Sequence, residues 1–111
     1  MPSSYSMVIT TCSGKEEAER IAARLVEQRI AGCVQMFAIA SVYRWEGKME
    51  SAREWMLICK IKASDYEEVE AAIRSAQSYS TPEIIEIGIE RGAESYLAWL
   101  ESATSRLDQK T

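Results

Sequence analysis

Ser41-Val42-Tyr43-Arg44-Trp45-Glu46-Gly47-Lys48, followed by the run Ser51-Ala52-Arg53-Glu54-Trp55-Met56-Leu57-Ile58-Cys59-Lys60-Ile61-Lys62, decides the fold. Strand-forming residues on both sides of a charged, glycine-bearing turn read as a β-hairpin. In the return strand Trp55, Leu57, Cys59 and Ile61 share one face, while Glu54, Met56, Ile58, Lys60 and Lys62 share the other. A strand this long is about twice the usual length, so part of the hairpin should overhang a small domain.

Working outward toward the N-terminus, Ala31 to Ile39 is a nearly unbroken apolar run, expected to be a strand covered on both sides. Before it, Ala18, Ile21, Ala22, Leu25 and Val26 recur at steps of three and four, the stripe of a one-sided helix. Ser13 and Glu16 have capping-box spacing at its start. Met7 to Cys12, rich in β-branched residues and ending at Ser13-Gly14, reads as the first strand.

The C-terminal half repeats the plan. Ser64 and Glu67 have the same capping spacing, and Tyr66, Val69, Ala72, Ile73 and Ala76 form a second helical stripe. Pro82 blocks helix continuation. Ile85, Ile87 and Ile89 then alternate with Glu86, Gly88 and Glu90 as a last strand, and Ser95 to Leu107 reads as a terminal helix. The order β-α-β-β-α-β implies an α+β, ferredoxin-like sandwich with a long β-hairpin and a C-terminal helix. Residues 1–111 are expected to form one domain, its core spanning about 7–101. Both main helices should cover one sheet face. The other face is apolar and is expected to have no helix layer, which predicts self-association.

Composition removes several function classes. With 13 basic and 17 acidic residues the net charge is −4, and no basic cluster suggests a nucleic-acid partner. No run approaches the roughly 18 apolar residues of a membrane span, and the start lacks a signal-peptide pattern, so a cytoplasmic location is expected. The chain has no histidine, which excludes Ser-His-Asp and Cys-His machinery and His-containing zinc sites. Cys12, Cys33 and Cys59 are odd in number and widely spaced, as suits free thiols in a reducing compartment.

Few residues offer chemistry. Cys12 lies where the first strand meets the first helix, so it is a weak candidate for a soft metal. Lys60, set in an apolar strand, must snorkel or meet an acid such as Glu54, Glu83 or Glu46. Tyr43 and Trp45 place two aromatics on one strand face beside the turn, and Tyr79-Ser80-Thr81-Pro82-Glu83 gathers hydroxyls and an acid around a rigid proline. No base stands beside Cys33 or Lys60 in the sequence, so neither reads as a nucleophile and no enzyme is expected.

Four segments, Ala31-Gly32-Cys33-Val34, Tyr43-Arg44-Trp45-Glu46-Gly47-Lys48, Tyr79-Ser80-Thr81-Pro82-Glu83 and Tyr96-Leu97-Ala98-Trp99-Leu100, together resemble the CutA divalent-cation tolerance proteins. The resemblance spans roughly residues 7–101. It implies a cytoplasmic homotrimer linked to tolerance of copper and other divalent cations. It also implies copper-ligand positions that here are Thr10, Ala76 and Gln77, none of them a good copper ligand. The expected function is binding of a metal ion, copper or another divalent cation, or of a small ligand in clefts between subunits. The candidate cleft residues are Cys33, Trp45, Glu54, Lys60, Tyr79, Thr81 and Glu83. The alternative is a trimeric small-molecule sensor similar to the PII signalling proteins, which share this architecture.

Overall fold

The computed structural model describes residues 3–106. In chain order the elements are β1 (Tyr5–Cys12), α1 (Lys15–Glu27), β2 (Cys33–Trp45), β3 (Lys48–Lys62), a 3-10 turn (Ala63–Asp65), α2 (Tyr66–Ala76), β4 (Ile84–Ile89) and α3 (Glu94–Ala103). The terminal helix therefore ends before Leu107, which lies outside the described residues. The sheet order is β2-β3-β1-β4 and every pairing is antiparallel. This is the ferredoxin-like arrangement expected from the element order.

The alternation read in β3 sets the core. Leu57, Cys59 and Ile61 are fully buried beneath α1 and α2, where they meet Val8 of β1, Ile21 and Leu25 of α1, and Val69 and Ile73 of α2. Helix stripes and strand faces thus bury one another, the dominant favourable contribution to such a fold.

The hairpin is longer than its sequence suggested. Ala31 to Ile39 and Ser41 to Trp45 are not separate strands: β2 pairs with β3 without a break from Cys33↔Lys60 to Trp45↔Lys48. Only Glu46 and Gly47 form the turn, with φ of 50° and 79°. Two successive positive φ values match the twist of the flanking strands, and the second falls on the residue without a Cβ. At about 3.3 Å per residue the 15-residue β3 reaches roughly 46 Å, close to the 48 Å longest extent of the molecule. β1 supports β3 only as far as Cys12↔Trp55, so everything from Glu54 to the turn projects beyond the sheet. β2 is also an edge strand, and Gln35, Phe37, Ala38 and Ala40 are exposed rather than covered on both sides.

Two local expectations change. Glu17, not Glu16, closes the start of α1: its carboxylate accepts from the Ser13 amide at 3.2 Å and the Ser13 hydroxyl at 2.9 Å. Gly14 occupies the cap position, which puts Ser13 one residue too early for the standard box. Ser64 caps nothing, because the 3-10 turn absorbs it and α2 starts at Tyr66 with no side-chain cap.

The second sheet face is not wholly bare. α3 lies over its Tyr5–Lys62 end, where Glu101 pairs with Lys62 at 3.2 Å and accepts from Tyr5 at 2.8 Å. Leu100 is buried against Gly32, at which an added Cβ would stand only 2.6 Å from the leucine side chain. Elsewhere on that face Phe37, Ile85 and Ile87 are exposed, and Met7, Ile9, Met56 and Ile58 between them are half-buried.

Candidate functional site

Beyond the end of β1 the overhanging hairpin and the connector from α2 to β4 enclose a cleft of about 760 Å³. Tyr43, Trp45 and Glu54 project into it from the hairpin, Met56 from the sheet, and Tyr79, Thr81 and Glu83 from the connector. Strand alternation explains the hairpin side, since residues two apart in β2 share a face, and Ile39 opposite Glu54 extends it. The Tyr79 hydroxyl donates to a Glu54 carboxylate oxygen at 2.8 Å, which ties connector to hairpin. Burial and this bond to an acid both push the Tyr79 hydroxyl well above the usual tyrosine range, so it keeps its proton and remains a donor.

The connector has no regular structure of its own, yet three successive side chains anchor it. Gln77 donates to the Thr10 hydroxyl and to the Thr11 carbonyl, both at 2.8 Å. Ser78 donates its amide to Glu17 at 2.7 Å and its hydroxyl to the same carboxylate at 3.3 Å. Tyr79 reaches Glu54. Burial alone would raise the pKa of Glu17, but the four bonds from Ser13 and Ser78 outweigh it and hold the carboxyl below its usual range.

The sequence candidates therefore divide. Trp45, Glu54, Tyr79, Thr81 and Glu83 meet in the cleft, whereas Cys33 and Lys60 face each other across β2 and β3 elsewhere. Lys60 stands six residues from Glu54 along one strand, roughly 20 Å. It meets none of the acids expected for it. Its ammonium donates to Gln35 at 2.8 Å and lies 5.9 Å from the centre of the Tyr96 ring, a neutral partner and a cation–π contact in place of an ion pair. Sequence reasoning left Tyr43, Met56 and Thr11 out of the candidate set. Tyr43 was recoverable from its two-residue spacing to Trp45, but Thr11 needed the packing of the connector.

Two of the copper-ligand positions implied by resemblance do meet in space. They hold a neutral amide-to-hydroxyl hydrogen bond from Gln77 to a fully buried Thr10, with the Gln77 amide protons given to the Thr10 hydroxyl and the Thr11 carbonyl. These residues do not fit a copper ion. Cys12 shares Thr10's side of the strand but is buried, its thiol directed to the Gly14 carbonyl at 3.5 Å and its pKa raised chiefly by burial. Among the described residues, no three His, Cys, Asp or Glu side chains are grouped to hold a metal. No helix among them is long and apolar enough to cross a membrane.

Comparison with known proteins agrees with this architecture. Residues 6–103 match the family described as CutA1 divalent ion tolerance protein. The divalent-cation tolerance protein CutA of Archaeoglobus fulgidus is 41% identical over 97 residues, which cover 87% of this chain and 95% of that protein. Protein CutA of Homo sapiens is 33% identical over 94% of this chain, which spans only 59% of that longer relative. The structure of the periplasmic divalent cation tolerance protein CutA from A. fulgidus superposes with a TM-score of 0.89 at 40% identity, covering 91% of this chain and 99% of that one. The chain thus belongs to the CutA1 divalent ion tolerance protein family.

Proposed function

We propose that the protein is a nonenzymatic homotrimer in the cytoplasm that contributes to divalent-cation tolerance by holding a small ligand in clefts at its subunit boundaries. The observation that carries this reading is the cleft itself. It is bounded on one side by a hairpin that projects beyond its own sheet, so a neighbouring copy would complete it. Trp45, Glu54, Tyr79, Thr81 and Glu83 form the part supplied by one chain, and Cys33 and Lys60 join only if a second copy brings them. A metal ion, copper included, would likewise need donors from a second copy. The three unpaired thiols suit a reducing compartment. The PII-like sensor reading gains no support, because a two-residue turn stands where a long signalling loop would be needed.

Thermal shift of the wild type and of Glu83→Gln with Cu(II), Zn(II), ATP and ADP tests the cleft, since a ligand that binds only the native state raises the melting temperature. A divalent cation should stabilise the wild type and lose that effect in the variant, and the nucleotides should do nothing. Equal shifts in both proteins would place the site elsewhere.

A further inference from the structure

The lining of the cleft is chemically one-sided. Three aromatic rings, Tyr43, Trp45 and Tyr79, share it with the carboxylates of Glu54 and Glu83, and among the described residues no lysine or arginine of the same chain lines it. Of the basic residues nearest in sequence, Lys48 pairs with Trp45 across the turn and shares its face without lining the cleft, and the other two point elsewhere. Arg44 lies on the opposite strand face from Tyr43 and Trp45 and donates to the Gly47 carbonyl at 3.5 Å, and Arg53 alternates away from Glu54. Aromatic faces carry negative quadrupole potential, so rings and carboxylates together attract a cation and repel an anion.

The part of the lining that one chain supplies does not by itself complete the shell of a bare inorganic ion. Divalent cations demand a shell of about six oxygen or other donor ligands at fixed distances, whereas this cleft offers two carboxylates set among rings. Its volume of about 760 Å³ is that of an organic-ligand pocket rather than an ion cage. Glu54 is prepared for such a guest: Tyr79 donates to one of its oxygens, and the other has no hydrogen-bond partner among the described residues.

We propose that the cleft between the hairpin and the 77–83 connector binds a small organic ammonium cation, its charge at Glu54 and Glu83 and its alkyl groups against Tyr43, Trp45 and Tyr79. This rests on the cleft reading given above and adds the class of ligand. Ammonium groups suit the site because their charge is shed from water more cheaply than that of a metal ion and their carbon substituents gain contact with the rings.

Calorimetric titration with n-butylammonium and tetramethylammonium chloride tests the assignment, with n-butanol and sodium acetate as neutral and anionic controls. The experiment is run on the wild type and on Lys60→Ala, so that an ammonium supplied by a second copy cannot mask the cleft. Saturable binding of the ammonium ions in either protein, without binding of the controls, is the expected result. Glu54→Gln should weaken it at least tenfold and Trp45→Ala roughly threefold, both with unchanged circular dichroism. No ammonium binding in either protein overturns the proposal. Zn(II) binding lost in Glu54→Gln without ammonium binding also overturns it, while leaving the cleft itself in place.

Discussion

Glu17 ties two distant segments of this structure together. Only 7% exposed, it closes the start of α1 through Ser13 and holds the connector through Ser78. Replacing it by Ala leaves the Ser78 amide without its acceptor, a loss of about 1–3 kcal/mol. Because folding lowers the Glu17 pKa from its ordinary 4.5, the stabilisation is complete above that pH and is lost as pH falls through the lower folded value. Urea unfolding at one protein concentration should therefore show Glu17→Ala less stable than wild type at pH 7, with the gap narrowing toward pH 3. A gap of the same size at both pH values would mean that the charge of Glu17 does not matter. The sequence hinted at this residue only obliquely. Ser13 and Glu16 have textual capping spacing, yet the acid one position later wins because Gly14 takes the cap and Glu17 alone faces the connector. Such long-range bonds, 61 residues apart for Glu17 and Ser78, leave no local pattern. Lys60 shows the same limit from the other side: burial among apolar residues was legible, but its choice of Gln35 and Tyr96 over an acid depended on cross-strand register and on where α3 comes to rest.

At the scale of elements, periodicity was a reliable guide wherever one face is buried. The β3 alternation and both helical stripes reappear as the core, except for Val26 at the end of α1, which is 43% exposed. The join between β2's two halves was not legible, because the Ala40-Ser41 pair looks like an interruption until β3 is seen pairing across it. Nor was the resting place of α3, whose apolar residues are split between burial of Leu100 and exposure of Tyr96 and Trp99. Its docking hinges on Gly32, where any side chain meets Leu100 at 2.6 Å. Leu100 is itself fully buried and has little room to withdraw. Gly32→Ala should therefore cost about 1–3 kcal/mol through overpacking. Hydrogen exchange should show the loss concentrated in α3 and the adjoining end of β3. An unchanged melting temperature and unchanged exchange in residues 94–103 would show that the helix adjusts without strain.

The molecule as a whole leaves a large apolar area uncovered. Phe37, Val42, Tyr43, Trp45, Met49, Ile85 and Ile87 are all more than 40% exposed, with Val42 at 71% and Met49 at 77% on the projecting hairpin. These residues lie on both faces of the hairpin and on the open sheet face, and apolar exposure of this extent marks an interface rather than a solvated surface, with closed symmetric assembly the common way to cover it. The assembly proposed above is three copies, each overhanging hairpin resting on a neighbour and closing a cleft. Native mass spectrometry of the tag-free protein tests that account most directly. It should give a species of three 12.5 kDa chains, persisting on dilution and dissociating before the subunits unfold only at low concentration. A monomer at micromolar concentration would contradict the account, because the cleft would then be half a site and the exposed hairpin would need another explanation.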